Sequence, residues 1–173
     1  MRFLVLSDSH RQEKIIENIL RYETANPSRR PDYLLFLGDG IEDFAALTDY
    51  GEFSTYPALA VRGNCDFFSA SDLPELRTFT LAERRIMMCH GHRYGVKSGT
   101  DVLAAIAVSG KADLVLFGHT HTPYARCYEV GETVGGVRLE KPMTLFNPGS
   151  VSCGCYGVIT VSEKGIFCEH KQK

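Results

Sequence analysis

Four stretches of this chain repeat one design: a short apolar run, a small residue, then polar side chains of the kind that bind ions. They are LVLSDSH from Leu4 to His10, LLFLGDG from Leu34 to Gly40, LAVRGNCD from Leu59 to Asp66, and LVLFGHTH from Leu114 to His121. A fifth, IMMCHGH from Ile86 to His92, resembles them. A continuous apolar run of this length reads as a buried strand. Between the first three runs, Ile15, Ile16, Ile19, Leu20 and Tyr22 recur at helical spacing, as do Ile41, Phe44, Ala45 and Leu47. Strand, helix, strand, helix, strand predicts a largely parallel sheet with helices packed on it. In such sheets the loops beyond the carboxyl ends of the strands gather at one edge, and ligands bind there. Polar groups far apart in sequence are therefore expected to meet.

The texture then changes. Leu76 to Leu81 alternates apolar and polar residues, Glu83-Arg84-Arg85 is a polar turn, and Ile86 to Cys89 is apolar again, which predicts a hairpin. Val102 to Val108 is apolar at helical spacing, with Gly110 as its C-cap. From Tyr124 on, short strands alternate with turns at Gly131, Gly135-Gly136, Gly154, Gly157 and Gly165. No repeat or linker divides the 173 residues. One domain over residues 1–173 is expected, α/β first and richer in strand later, with two facing sheets and helices outside.

Composition narrows the function classes. A net charge of -2 supplies no basic field, so strong nucleic-acid binding is not expected. No apolar run approaches the roughly 20 residues that span a bilayer, and the run Phe3 to Leu6 is too short for a signal-peptide core. The expectation is a cytoplasmic protein with no membrane partner. Of the six cysteines in a chain with a sizeable core, Cys89, Cys127, Cys153, Cys155 and Cys168 read as small apolar fillers, and Cys153-x-Cys155 suits neither a zinc knuckle nor a redox pair.

Five of the six histidines, His10, His90, His92, His119 and His121, fall in loops after apolar runs, as do Asp8, Asp39, Asn64 and Asp66. Two carboxylates, an amide oxygen and four imidazoles make a mixed N/O set suited to manganese, iron, zinc or nickel, and too rich in nitrogen for calcium or magnesium. That is more than one ion needs, which points to a pair. Each element also has an ordinary reading. Asp8-x-His10 is usually a turn, Asp39 stands where a helix N-cap would, and Gly63-Asn64 suits a loop that needs positive φ. Together, in one structural context, they carry the metal reading.

The ordered set DSH, GDG, GNCD, CHGH and GHTH, followed by NPGS at Asn147 to Ser150, resembles the calcineurin-like metallophosphoesterase superfamily, and within it the small single-domain bacterial and archaeal phosphodiesterases. The resemblance implies an α/β fold, a four-layer αββα sandwich of two mixed sheets flanked by helices. It also implies two divalent metal ions, manganese first, with iron, zinc or nickel as alternatives. Asp8, His10 and His121 would hold one ion, Asn64, His90 and His119 the other, and Asp39 would bridge them. Of the groups expected to act on substrate, Asn64 would also contact phosphate, His92 would donate to phosphate or the leaving oxygen, and Asp66 would support its loop. Asn147 and Ser150 would fix a turn around the site.

The reaction so implied is hydrolysis of a small phosphodiester, with a hydroxide bridging the two metals attacking phosphorus, and with activity falling as pH drops through roughly 6.5, where imidazole ligands protonate. Many members of the superfamily carry histidine where this chain has Cys65. A thiol is a weaker proton donor to a leaving oxygen than imidazolium, which favours diesters with acidic leaving groups. A phosphomonoesterase or nucleotidase, a nuclease, and a non-catalytic scaffold like the retromer subunit of the same fold are the alternative readings. A homo-oligomer is left open.

Overall fold

The computed structural model describes residues 1–66 and 72–173. The first sheet is built from β1 (Arg2–Leu6), β2 (Tyr33–Phe36), β3 (Ala58–Ala60), β11 (Cys155–Ser162) and β12 (Gly165–Gln172), in the order β12-β11-β1-β2-β3. The second contains β4 (Leu76–Leu81), β5 (Arg84–Cys89), β6 (Leu114–Leu116), β7 (Tyr124–Tyr128) and β10 (Met143–Asn147), in the order β4-β5-β6-β10-β7, and β8 (Thr133–Val134) and β9 (Val137–Arg138) pair with each other as a small hairpin. Both are mixed. β1, β2 and β3 are parallel, as are β5, β6 and β10, while the outer pairings are antiparallel.

The apolar runs are continuous because both faces of these strands are covered. Phe3, Val5 and Leu35 meet Met88, Leu116 and Phe146 in a core between the sheets. The alternate residues Leu4, Leu6, Leu34 and Phe36 face outward onto Ile16, Ile19 and Leu20 of α1 (Glu13–Thr24) and Ile41, Phe44 and Leu47 of α2 (Ile41–Thr48). On the far side, Met87, Val115 and Leu145 pack on Leu103, Ala104 and Ala107 of α3 (Asp101–Ser109). Each fully buried Leu, Ile or Phe is worth roughly 1.5–3 kcal/mol, so three apolar layers fix the order helix, sheet, sheet, helix. The expected αββα sandwich is the observed fold, with one helix on its second outer face. No helix among the described residues is long and apolar enough to cross a membrane.

Local signals are mostly where the sequence puts them. α1 closes at its C-cap Ala25, and the chain turns at once: the Asn26 side chain accepts from Ser28 N at 3.0 Å and caps a single 3-10 turn. Gly110 ends α3, but with φ at -78°. The left-handed residue is Lys111, at 54°.

Parallel pairing aligns the strand ends. Leu6 lies beside Phe36 and Phe36 beside Ala60, while Met88 and Phe146 flank Leu116. The chain leaves each of these positions into one of the polar loops.

Candidate metal centre

Five of the predicted ligands take left-handed backbone at this edge, Asp8 (φ 56°), His10 (48°), Asp39 (60°), His119 (68°) and His121 (61°), as does Arg11 (68°) beside His10. For residues with a Cβ such conformations cost about 1 kcal/mol or more each, and they persist where surrounding structure over-determines them. Here it does. Asp8 N donates to Gly38 O at 3.0 Å, His10 N to Asp39 O at 3.2 Å and Gly118 N to His90 O at 3.0 Å. Close approach also demands glycine. A Cβ on Gly63 would stand 2.2 Å from Asp39 Oδ1, and one on Gly118 2.0 Å from Ser7 Oγ. Gly63 is therefore there for space, and the positive φ offered as its ordinary reading is absent.

Asp8 is fully buried. Its Oδ2 accepts from Ser7 Oγ at 2.6 Å and from His119 N at 3.1 Å. Among the described residues its Oδ1 finds no hydrogen-bond donor, yet it faces His121 Nε2 at 3.2 Å, His90 Nε2 at 3.9 Å and His10 Nε2 at 4.0 Å. Burial pushes this carboxyl above its ordinary value, against the pull of His90, Ser7 and His121. Asp39 behaves oppositely. Burial works against its charge, but the His90 imidazole, at 3.3 Å, and the Cys65 N–H, at 2.7 Å, hold it well below the usual carboxylate range.

His90 is fully buried, and its Nδ1–H donates to the Leu37 carbonyl at 2.8 Å. That bond fixes the tautomer and leaves Nε2 directed at both aspartates. Burial lowers its pKa, but the two aspartates outweigh this and raise it above 6.5. His119 Nδ1 lies 3.2 Å from His90 Nε2, and burial, His90 and Lys97 push it down to about 4. His10 Nε2 and His121 Nε2 are 3.1 Å apart. The donors form two triads, Asp8-His10-His121 and Asp39-His90-His119, the donor atoms of each within 4.8 Å of one another; Cys65 makes a third with His10 and Asp39.

The remaining predicted residues take separate places. Asn64 presents a buried Oδ1 without a partner among the described residues, while its Nδ2 donates to Cys65 Sγ at 3.3 Å. Asp66 turns both oxygens to main chain: Oδ2 accepts from Asp39 N and Gly63 N at 2.7 and 2.8 Å, Oδ1 from Gly40 N and Ile41 N at 2.8 and 3.0 Å. It thus caps α2, the task the sequence offered to Asp39, and leaves the Asp39 carboxylate free to face His90. His92 stands outside the triads, its ring 5.5 Å from that of His90, with Nε2 3.9 Å from Glu75. Its pKa is lowered by burial and then by His90. Asn147 Nδ2 donates to Gly118 O at 2.8 Å and Ser150 Oγ to Asp8 O at 2.7 Å, so the NPGS turn ties two loops together. The Cys65 thiol is pushed up to about 11 by burial and the Asp39 carboxylate.

Three groups escape sequence reading. Ser7 and the Leu37 carbonyl orient Asp8 and His90, and Glu75 gathers Arg62, Arg93 and His92. Ser7 and Leu37 are unremarkable members of strand ends, and Glu75 reaches its partners only through the fold.

With this geometry in hand, likenesses to known proteins gain meaning. The family description "Calcineurin-like phosphoesterase superfamily domain" matches residues 1–163. A probable metallophosphoesterase, YsnB, of Bacillus subtilis is 29% identical over 156 residues, covering 87% of this chain and 75% of that one. Among solved structures, a novel archaeal phosphodiesterase superposes with TM-score 0.68 at 17% identity, over 99% of this chain and 100% of that one. Vps29 of Entamoeba histolytica, complexed with zinc, does so with TM-score 0.64 at 19% identity, over 99% of each chain. At these identities the two structures speak to the fold.

Proposed function

The chain belongs to the calcineurin-like phosphoesterase superfamily, and from that premise we propose that it is a phosphodiesterase using two divalent cations. The observation that carries this reading is Asp8 Oδ1, buried and without a donor while facing three imidazole nitrogens. An unpaired buried acceptor costs about 1–3 kcal/mol, and a cation would remove that cost, so the donor set fits the group. Asp8, His10 and His121 would hold one ion, His90, His119 and the partnerless Oδ1 of Asn64 the other, with Asp39 between. When bound, the cations would supply charge neutralisation at the phosphoryl oxygens and a water acidic enough to ionise near neutral pH. Manganese, iron, zinc and nickel all suit these donors.

The chain's own residues supply position and protons. The Leu37 carbonyl aims His90, and Asp66 pins the main chain of both GDG and GNCD. The Asn64 amide N–H can turn to a phosphoryl oxygen. Cys65, with a thiol near 11, protonates a leaving oxygen poorly, which favours diesters that leave as acidic alcohols over alkyl monoesters. The test is direct. The protein is stripped of metal, reconstituted with each divalent ion, and assayed on bis(p-nitrophenyl) phosphate beside p-nitrophenyl phosphate. Metal-stimulated hydrolysis with the diester faster is the expected result, and faster monoester turnover would sink the diester preference. The likeness to Vps29 supports a second reading, a binding module on this fold, and absence of hydrolysis with every metal would favour it.

A further inference from the structure

Two cavities flank the candidate ligands, and their chemistry differs. One, of about 450 Å³, is lined by Val96, Lys97, Phe117, Thr120 and Tyr124. Thr120, between His119 and His121 in the chain, is one of its lining residues, and Lys97, another, is near enough for its charge to act on His119. Its floor is aromatic: Phe117 and Tyr124 meet edge to face at 5.8 Å, and the Tyr124 hydroxyl lies 3.3 Å from Thr100 Oγ1. The other, of about 380 Å³, is lined by Asn64, Glu75, His92 and Arg93 among others, on the opposite loops. There Arg93 Nε and Arg62 Nη2 both donate to the Glu75 carboxylate at 2.9 Å. One side offers the Tyr124 ring, backed by the buried Phe117, beside an ammonium, the other a field of hydrogen-bonding groups.

A phosphate held by the ligands between these cavities would send one ester arm into each. A monoester has one arm and would leave a cavity unused. Asn64 and His92, the N–H groups placed to meet a departing oxygen, stand together at the polar cavity. Lys97 lines the aromatic one.

Resting on the phosphodiesterase reading above, we propose that the aromatic cavity seats the ester arm that stays on phosphorus, that this arm carries a flat ring, aryl or nucleobase, and that the leaving arm turns toward Asn64 and His92. Both volumes lie within the range of small-molecule sites, and a ring seated on Tyr124 gains a stacking contact. Tyr124 acts on the substrate arm alone and is a specificity-determining residue.

The test compares bis(p-nitrophenyl) phosphate with methyl p-nitrophenyl phosphate on the metal-loaded protein. Both release the same phenolate and differ only in the retained arm. Tyr124→Ala should lower the ratio of their kcat/KM values about tenfold, mainly through KM of the diaryl ester, as loss of one stacking contact does. Tyr124→Phe keeps the ring and should keep the ratio. Thr122→Trp, at an exposed lining position, should lower the ratio by filling the cavity, and it answers the question if Tyr124→Ala does not fold. A ratio unchanged in both Tyr124→Ala and Thr122→Trp would overturn the proposal. An equal fall for both substrates would overturn it too, by placing the leaving ring in the aromatic cavity. Wild-type protein inert toward both esters with every metal would instead mark failure of the phosphodiesterase reading and take this proposal with it.

Discussion

Glu23 and Asp8 are both fully buried carboxylates, and they end in opposite circumstances. Glu23, on the inner face of α1, accepts from the Tyr156 hydroxyl at 2.9 Å and pairs with Arg2 at 3.1 Å. Each of its oxygens has a donor. Among the described residues Asp8 has donors on one oxygen only, and the other faces three imidazole nitrogens. Both carboxylates resist solvent equally, so burial does not mark a site. What marks it is an acceptor left open where several nitrogen donors converge, on a backbone held in left-handed conformations.

The largest expected effect breaks the comparison at its chemical end. Asp39→Ala removes the carboxylate that the Asp39-His90-His119 triad shares with the His10-Asp39-Cys65 cluster, and metal-stimulated hydrolysis should fall by more than about a hundredfold, since even groups that only orient ligands are worth 10–100-fold. Steady-state assays beside metal titration check it. Glu23→Ala should do the reverse: about 2–4 kcal/mol of stability lost in a urea titration, with kcat per folded molecule unchanged.

Asp8→Asn sharpens the contrast. The amide oxygen still accepts from Ser7 and His119 while an N–H turns toward the imidazoles. With chelator present at pH 7 the variant should be more stable than wild type by about 1 kcal/mol, although it should lose at least one of the two ions. The sign follows from the raised pKa of Asp8: such a group contributes stability below its unfolded value and loses it as pH rises, so the wild type carries the penalty at pH 7. The gain should vanish near pH 3.8.

His90 sets the pH dependence of metal binding. Its pKa in the metal-free protein is raised above 6.5, so a cation must displace a proton there. Affinity measured by calorimetry should climb with pH through and beyond 6.5, with proton release on binding; pH-independent affinity from pH 6 to 8 would remove His90 from the ligands. The smallest effects concern sulfur. Cys65→His should raise monoester turnover modestly by supplying an imidazole acid, while Cys153→Ala should leave activity near wild type.

Much of this was legible in the sequence because apolar runs followed by Gly or Ser and polar groups carry both fold and site. LVLSDSH alone states a strand buried on two faces and the loop beyond it. What stayed hidden depends on contacts between distant segments. Asp66 and Asp39 look alike as loop aspartates, and only the approach of the GNCD main chain to GDG shows one clamping four N–H groups while the other faces His90. Glu75 likewise is one acidic residue among many until Arg62, Arg93 and His92 close around it.

The central claim is that the loops at the strand ends hold two cations, and metal stoichiometry tests it most directly. Protein stripped with chelator, reloaded with manganese or zinc and freed of excess ion should carry two equivalents per chain by elemental analysis, with Asp8→Asn and Asp39→Ala carrying one or fewer. Retention of two equivalents by both variants, or of none by the wild type, would contradict the account.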